Sequence, residues 1–207
     1  MLSPDLLVRA YASGLFPMAD PDDGTVGWYA PDPRAVLPLD DFHVPASLAR
    51  VVRNGPFRVT TDTDFEGVMW ACAEPAPGRE ETWISDDIVA GYAALHERGL
   101  AHSVEVRRAE DGALVGGLYG VALRGAFFGE SMFHTARDAS KVALVHLVGR
   151  LRAGGFTLLD VQFQTPHLAR FGVVEVSRAV YLRRLAGALE VEADWHAADR
   201  QGGSATG

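Results

Sequence analysis

The chain has 207 residues, carries a formal net charge of -8 and is 48% hydrophobic. That length supports one generous core, no apolar run approaches the about 20 residues that span a bilayer, and a single cysteine, Cys72, excludes an internal disulfide. No histidine and acid cluster has metal-ligand spacing, no basic-then-apolar leader opens the chain, and the acidic balance argues against coating nucleic acid by bulk charge, so a cytoplasmic, metal-free protein with at most a local basic face is expected.

In chain order, Ser3, Pro4 and Gly14 mark the cap, first turn and stop of a short helix. An irregular segment rich in proline, glycine and aspartate follows, with a strand near Ala35 to Leu37. "FRVTT" then reads as a strand running into a helix with Phe65, Val68, Met69 and Cys72 on one face, capped by Thr63 or Asp64. Residues 1–75 are thus expected to form a small α+β lobe. After the break "EPAPGREE", a helix carries Ile88, Tyr92 and Leu95.

Three strands in a meander come next: "AHSVEVRR", "LVGGLYGVAL" and "AFFGESMF". A helix with Leu144, Leu147, Val148 and Leu151 in register crosses over to the strand "FTLLDVQF", and a short helix, a strand and a closing helix finish residues 76–195. Residues 196–207 read as a disordered tail. The order is that of an α+β, N-acetyltransferase-like (GNAT) domain, whose splayed central strands form the active-site cleft.

Glu130 lies within an apolar run and requires a cationic partner to be tolerated there. On "FTLLDVQF", alternation places Leu158, Asp160 and Gln162 on one face, so Asp160 and Gln162 converge with Glu130 on a pocket lined by Leu118, Phe127 and Leu147. Leu159 alternates away and joins the pocket only through a twist or bulge. The alternative is that Asp160 and Gln162 cap a helix or satisfy a buried arginine. The loop "HTARDASK" lacks the glycines of an acyl-CoA pyrophosphate loop. Glycines in "GGLYG" open no helix, and suit a bulge or a close ligand approach. His102, His134, His146 and His167 are scattered and read as structural. Lys141, the sole lysine, lies beside Ser140 at a helix start, where an anion contact is one reading and composition bias the other.

"YASGLFPM", "APDPRAVLP", "TWIS", "AHSVEV", "LVGGLYGVAL", "FFGESMF", "DASKVAL" and "LLDVQFQTPHLARFG" resemble, in order, the successive blocks of the leucyl/phenylalanyl-tRNA–protein transferase family. The resemblance implies an enzyme that moves leucine or phenylalanine from aminoacyl-tRNA to proteins with N-terminal arginine or lysine, marking them for N-degron proteolysis; methionine is a further candidate donor, a monomer is expected, and the ester, being already activated, calls for no cofactor. It implies that Glu130 receives the acceptor's positive charge, that Gln162 orients the ester or amine, and that Asp160 acts as a relay or positioning group. The donor side chain is expected against Leu118, Phe127, Leu147 and Leu159. The family's tryptophan after "FP" is Met18 here, shifting the expected stacking of the terminal adenine to Trp83 or Trp28. Its cysteine between the paired Asp and Gln is Val161, the tryptophan closing "SVEVW" is Arg107, and an N-terminal segment of many members is missing.

For tRNA phosphates, Arg178, Arg183 and Arg184 and, nearer the N-terminus, Arg50, Arg53 and Arg58 are candidates, each with a solvated helix face as the plainer reading. Two other functions fit the same elements: an acyl-CoA-dependent N-acyltransferase, recognisable by saturable acyl-CoA binding, and a non-catalytic tRNA-binding module, recognisable by indifference to Asp160→Ala.

Overall fold

A computed structural model describes residues 2–76 and 80–202, the last two by backbone alone. Part of the expected Pro-Gly break and residues 203–207 of the expected tail lie outside the described residues. The chain opens with α1 (Pro4–Ala12), a β1 (Phe16–Ala19) and β2 (Val26–Tyr29) hairpin, β3 (Arg34–Val36), α2 (Ala46–Asn54), β4 (Phe57–Thr61) and α3 (Phe65–Ala73). It continues through α4 (Asp86–Glu97), β5 (Ala101–Arg108), β6 (Leu114–Leu123), β7 (Ala126–His134), α5 (Ala139–Ala153) and β8 (Leu158–Gln162). Last come α6 (Pro166–Ala169), β9 (Val174–Val176), α7 (Arg178–Leu189) and α8 (Ala197–Gly202).

Local chemistry accounts for the helix starts. Ser3, Ser85 and Thr165 each accept a backbone N–H from three residues on, at 3.3, 3.4 and 3.2 Å, and Pro4 and Pro166 supply the fixed φ of a first turn.

Seven strands form the main sheet in the order β4-β5-β6-β7-β8-β3-β9. β4 to β7 are antiparallel, α5 crosses over, and β8 returns parallel to β7, as the acetyltransferase-like reading requires. Phe65, Val68, Met69 and Cys72 of α3 and Ile88, Tyr92 and Leu95 of α4 fill one core with Tyr11 and Tyr181, while Leu144, Leu147, Val148 and Leu151 of α5 fill the other. Gly116 lets α5 approach, since a Cβ there would stand 2.5 Å from that of Ala139.

The expected boundary at residue 75 does not separate two sheets. β3 and β4 both join the seven-stranded sheet, because a three-residue strand such as β3 is held only by neighbours, here β8 and β9. The segment following residue 195 is also not wholly tail. α8 forms, Arg150 pairs with Asp199, and Trp195 is buried where it donates to Asp62 at 2.8 Å and stacks on His102.

Candidate active site

β7 and β8 pair only from Ala126↔Leu158 to Phe128↔Asp160. Beyond that point each strand carries a bulge. On β7, Gly120 faces Gly129 and Tyr119 faces Ser131, which leaves Glu130 as the extra residue. On β8, Ala35 faces Gln162 and Val36 faces Asp160, which leaves Val161 extra. A bulge re-aims side chains and bends its strand. Gly120 is required opposite the first one, since a Cβ there would lie 2.2 Å from the Phe128 carbonyl oxygen.

A cavity of about 440 Å³ opens where the strands part, lined by Leu118, Leu144, Leu147, Leu159 and Leu168, with Glu130 and Gln162 in its wall. That size and mixture suit a small apolar group with a reactive end. Leu159 and Val161 face it by ordinary alternation. Gln162 should then face away with Asp160, but the bulge and its left-handed φ of 57° turn its side chain into the same wall.

The two carboxylates therefore have different surroundings. Asp160 is fully buried outside the cavity lining. Arg34 donates to it from Nε (2.9 and 3.2 Å) and Nη2 (2.7 Å), Tyr181 Oη donates at 2.7 Å, and the Gln162 backbone N–H donates at 2.9 Å. The guanidinium lies between the rings of Phe16 and Tyr181 and also donates to the Gly14 carbonyl at 3.2 Å. Burial opposes the Arg34 charge, and the Asp160 hydrogen bonds together with the charges of Asp160, Tyr181 and Glu130 more than offset it. Burial, then the Asp160 charge, raises the Tyr181 phenol.

Glu130 has no ion pair among the described residues. Tyr92 Oη donates to Oε2 at 3.0 Å, Gln162 Nε2 to Oε1 at 3.4 Å, and Tyr11 stands behind, hydrogen-bonded to Tyr92. Desolvation pushes the Glu130 carboxyl up to about 8, against the partial opposition of the Tyr11 and Tyr92 hydroxyls. The same burial, followed by the Glu130 charge, raises both phenols.

Of the residues expected around the pocket, Leu118, Leu147, Leu159, Glu130 and Gln162 are brought together. Phe127 is not. Its ring is buried in the core, stacked 5.5 Å from Trp195, because the β7 segment that still pairs with β8 points it beneath the cleft. Trp28 lies on β2 opposite Pro17, and Trp83 packs beside α4 with its carbonyl accepting the Ala19 N–H at 3.1 Å; neither lines the cavity. The exposed ring at the rim is Phe163, edge-on to Phe16, which stacks on Tyr29.

Arg50, Arg53, Arg58, Arg178, Arg183 and Arg184 are exposed. Sequence reasoning missed Arg34 and the tyrosines Tyr11, Tyr92 and Tyr181. Arg34 carried a usable signal, since "RAVLPL" sets a charge beside an apolar run just as "FFGESMF" does for Glu130.

Residues 36–186 match the leucyl/phenylalanyl-tRNA protein transferase family and residues 1–32 its N-terminal domain. Similar proteins named leucyl/phenylalanyl-tRNA–protein transferase include one from Salinibacter ruber, 59% identical over 94% of this chain and 83% of its own. Another from Rubrobacter xylanophilus is 59% identical over 92% of this chain and 97% of its own. A solved GCN5-related N-acetyltransferase from Sphaerobacter thermophilus aligns with 84% of this chain and 54% of its own at 15% identity and a TM-score of 0.44. No helix among the described residues is long and apolar enough to cross a membrane. Over most of its length, this chain belongs to the leucyl/phenylalanyl-tRNA protein transferase family of aminoacyltransferases.

Proposed function

We propose that this enzyme transfers leucine, phenylalanine or methionine from the 3′ end of aminoacyl-tRNA to the α-amino group of proteins beginning with arginine or lysine, and so marks them for N-degron proteolysis. The observation that carries the reading is a carboxyl without a cationic partner among the described residues, Glu130, in the wall of an apolar cavity beside the Gln162 amide. The cavity takes the donor side chain, and the acyl carbonyl sits at its mouth.

Glu130 has two tasks in this scheme. As a carboxylate it attracts the cationic N-terminal residue, a charge-assisted contact stronger than a neutral hydrogen bond. Its pKa of about 8 also matches the about 7.7 to 8.0 of an α-ammonium, so a proton passes from the ammonium to Glu130 at little cost. The freed amine attacks the ester carbonyl, the acyl–oxygen bond breaks, and the ribose hydroxyl leaves with a proton. Gln162 orients the amine or carbonyl.

Asp160 is a positioning residue in this reading, as both of its oxygens are occupied by protein donors, one of them the Gln162 N–H. Phe163 joins Trp28 and Trp83 as a candidate to stack the terminal adenine. The ester is already activated, so no ATP, metal or other cofactor is assigned. Mass spectrometry of Arg-, Lys- and Glu-starting peptides incubated with phenylalanyl-tRNA tests the scheme. It expects one added residue on the first two and none on the third; equal labelling of all three overturns it.

A further inference from the structure

A second groove, of about 630 Å³, lies between α2, the β7–α5 loop and the end of α6. Arg137, Lys141 and Arg170 line it, with Asp138 as its one carboxylate. Lys141 Nζ reaches Asp138 at 2.6 Å and Arg137 Nε at 3.6 Å, so the carboxylate is occupied from within. Arg170 is exposed, and no ion pair involves it among the described residues. On a chain of net charge -8, this is a local excess of positive charge.

The groove adjoins the donor cavity. Consecutive residues of α5 divide between them, Ser140 facing the cavity and Lys141 the groove, and so do Leu168 and Arg170 at α6. His167 lines the cavity, and burial first, then the charges of Lys141 and Arg170 among others, hold it below the ordinary histidine range.

We propose that this groove seats the phosphodiester backbone next to the esterified terminal nucleotide of the donor tRNA, with Arg170 and Arg137 as its phosphate contacts. The inference rests on the aminoacyl-tRNA reading above and adds where the unpaired 3′ strand leaves the cavity. It assigns a purpose to the chain's sole lysine as well: Lys141 holds Asp138 at 2.6 Å, so that Arg170 stays unpaired among the described residues and Arg137, 3.6 Å from the same carboxylate, keeps its exposed guanidinium within reach of the ligand.

The test compares phenylalanyl-tRNA with 2′(3′)-O-phenylalanyl-adenosine, a donor without phosphates. For Arg137→Glu combined with Arg170→Glu, the KM for phenylalanyl-tRNA should rise at least about tenfold, with kcat nearly constant and transfer from the adenosine ester unchanged. Each phosphate contact on a single strand contributes a slope of roughly -0.7 in log affinity against log salt, so the variant should lose about 1.4 of the wild-type slope. Asp138→Asn should act in the opposite direction and lower the KM, and asparagine tolerates the left-handed φ of 67° found there. An unchanged KM and slope overturn the groove assignment. Equal loss with both donors overturns it as structural damage, and a raised KM for the acceptor peptide alone assigns the groove to the acceptor instead. Wild-type failure to use either donor strikes the proposed function itself.

Discussion

Asp160 and Glu130 occupy adjacent strands, the first fully buried and the second half-buried, and their partners differ in kind. Asp160 meets a guanidinium, a phenol and a backbone N–H and lies outside the lining of this cavity. Glu130 meets, among the described residues, phenols and an amide and no cation, and it lines the cavity wall. A buried carboxylate paired this fully cannot release its partners for substrate without a large cost, whereas one held by neutral donors can exchange a proton with, or pair with, an incoming cation. In the proposed scheme the first is scaffold, and the second takes part in the chemistry.

The largest effect that can break this contrast lies at Arg34. Arg34→Met leaves Asp160 buried without its counter-charge, which should lower unfolding free energy by about 3–5 kcal/mol in urea titrations. Arg34→Met with Asp160→Leu should recover much of that stability without recovering transfer. If the single variant is as stable as the parent, the scaffold role of Asp160 fails.

Next in size, Glu130→Gln should weaken an Arg-starting peptide about ten- to a hundredfold, the roughly 1.5–3 kcal/mol of a charge-assisted contact, when binding is measured by calorimetry above pH 8. Phenylalanyl-tRNA affinity should hardly change. Normal peptide affinity in a destabilised Glu130→Gln protein would make both carboxylates scaffold.

The cavity itself is sharpened by Leu147→Phe, which fills space beside Leu118 and Leu159. Phenylalanine transfer should fall about tenfold further than leucine transfer, a difference of roughly 1–2 kcal/mol within the range for hydrophobic pockets. Equal losses with the two donors remove Leu147 from the donor site.

Because Glu130 is half-buried, solvent screening cuts its linkage effect well below the full shift and leaves the pH dependence of stability as the smallest effect. Between about 4.5 and about 8, folded Glu130 keeps a proton that the unfolded chain gives up. The folded state therefore binds more protons in that window, and stability must fall as pH rises through it. Thermal melts should show a decline of a few degrees that flattens in Glu130→Gln. A slope that survives the substitution assigns the titration to another group.

Much of this was legible in the chain itself. Period-3.6 faces located the helices around Phe65, Tyr92 and Leu144, and charged or amide groups in apolar runs singled out Glu130, Asp160 and Gln162. Where reading failed, the determining contact was remote in sequence. Strict alternation put Gln162 with Asp160, and nothing in "LLDVQF" announces a bulge that forms against β3, more than a hundred residues earlier. Phe127 was placed in the pocket for the same reason, since its stacking partner Trp195 lies in a segment that reads as the edge of a tail.

Apolar periodicity and turn chemistry act within a few residues, so the sequence alone determined the element order, the crossover and the presence of polar groups on the cleft strands. Only the tertiary structure decided which carboxylate was paired. That choice depends on Arg34, Tyr181 and the parting of β7 from β8 beyond Phe128 and Asp160, contacts made by long-range packing that no local pattern encodes.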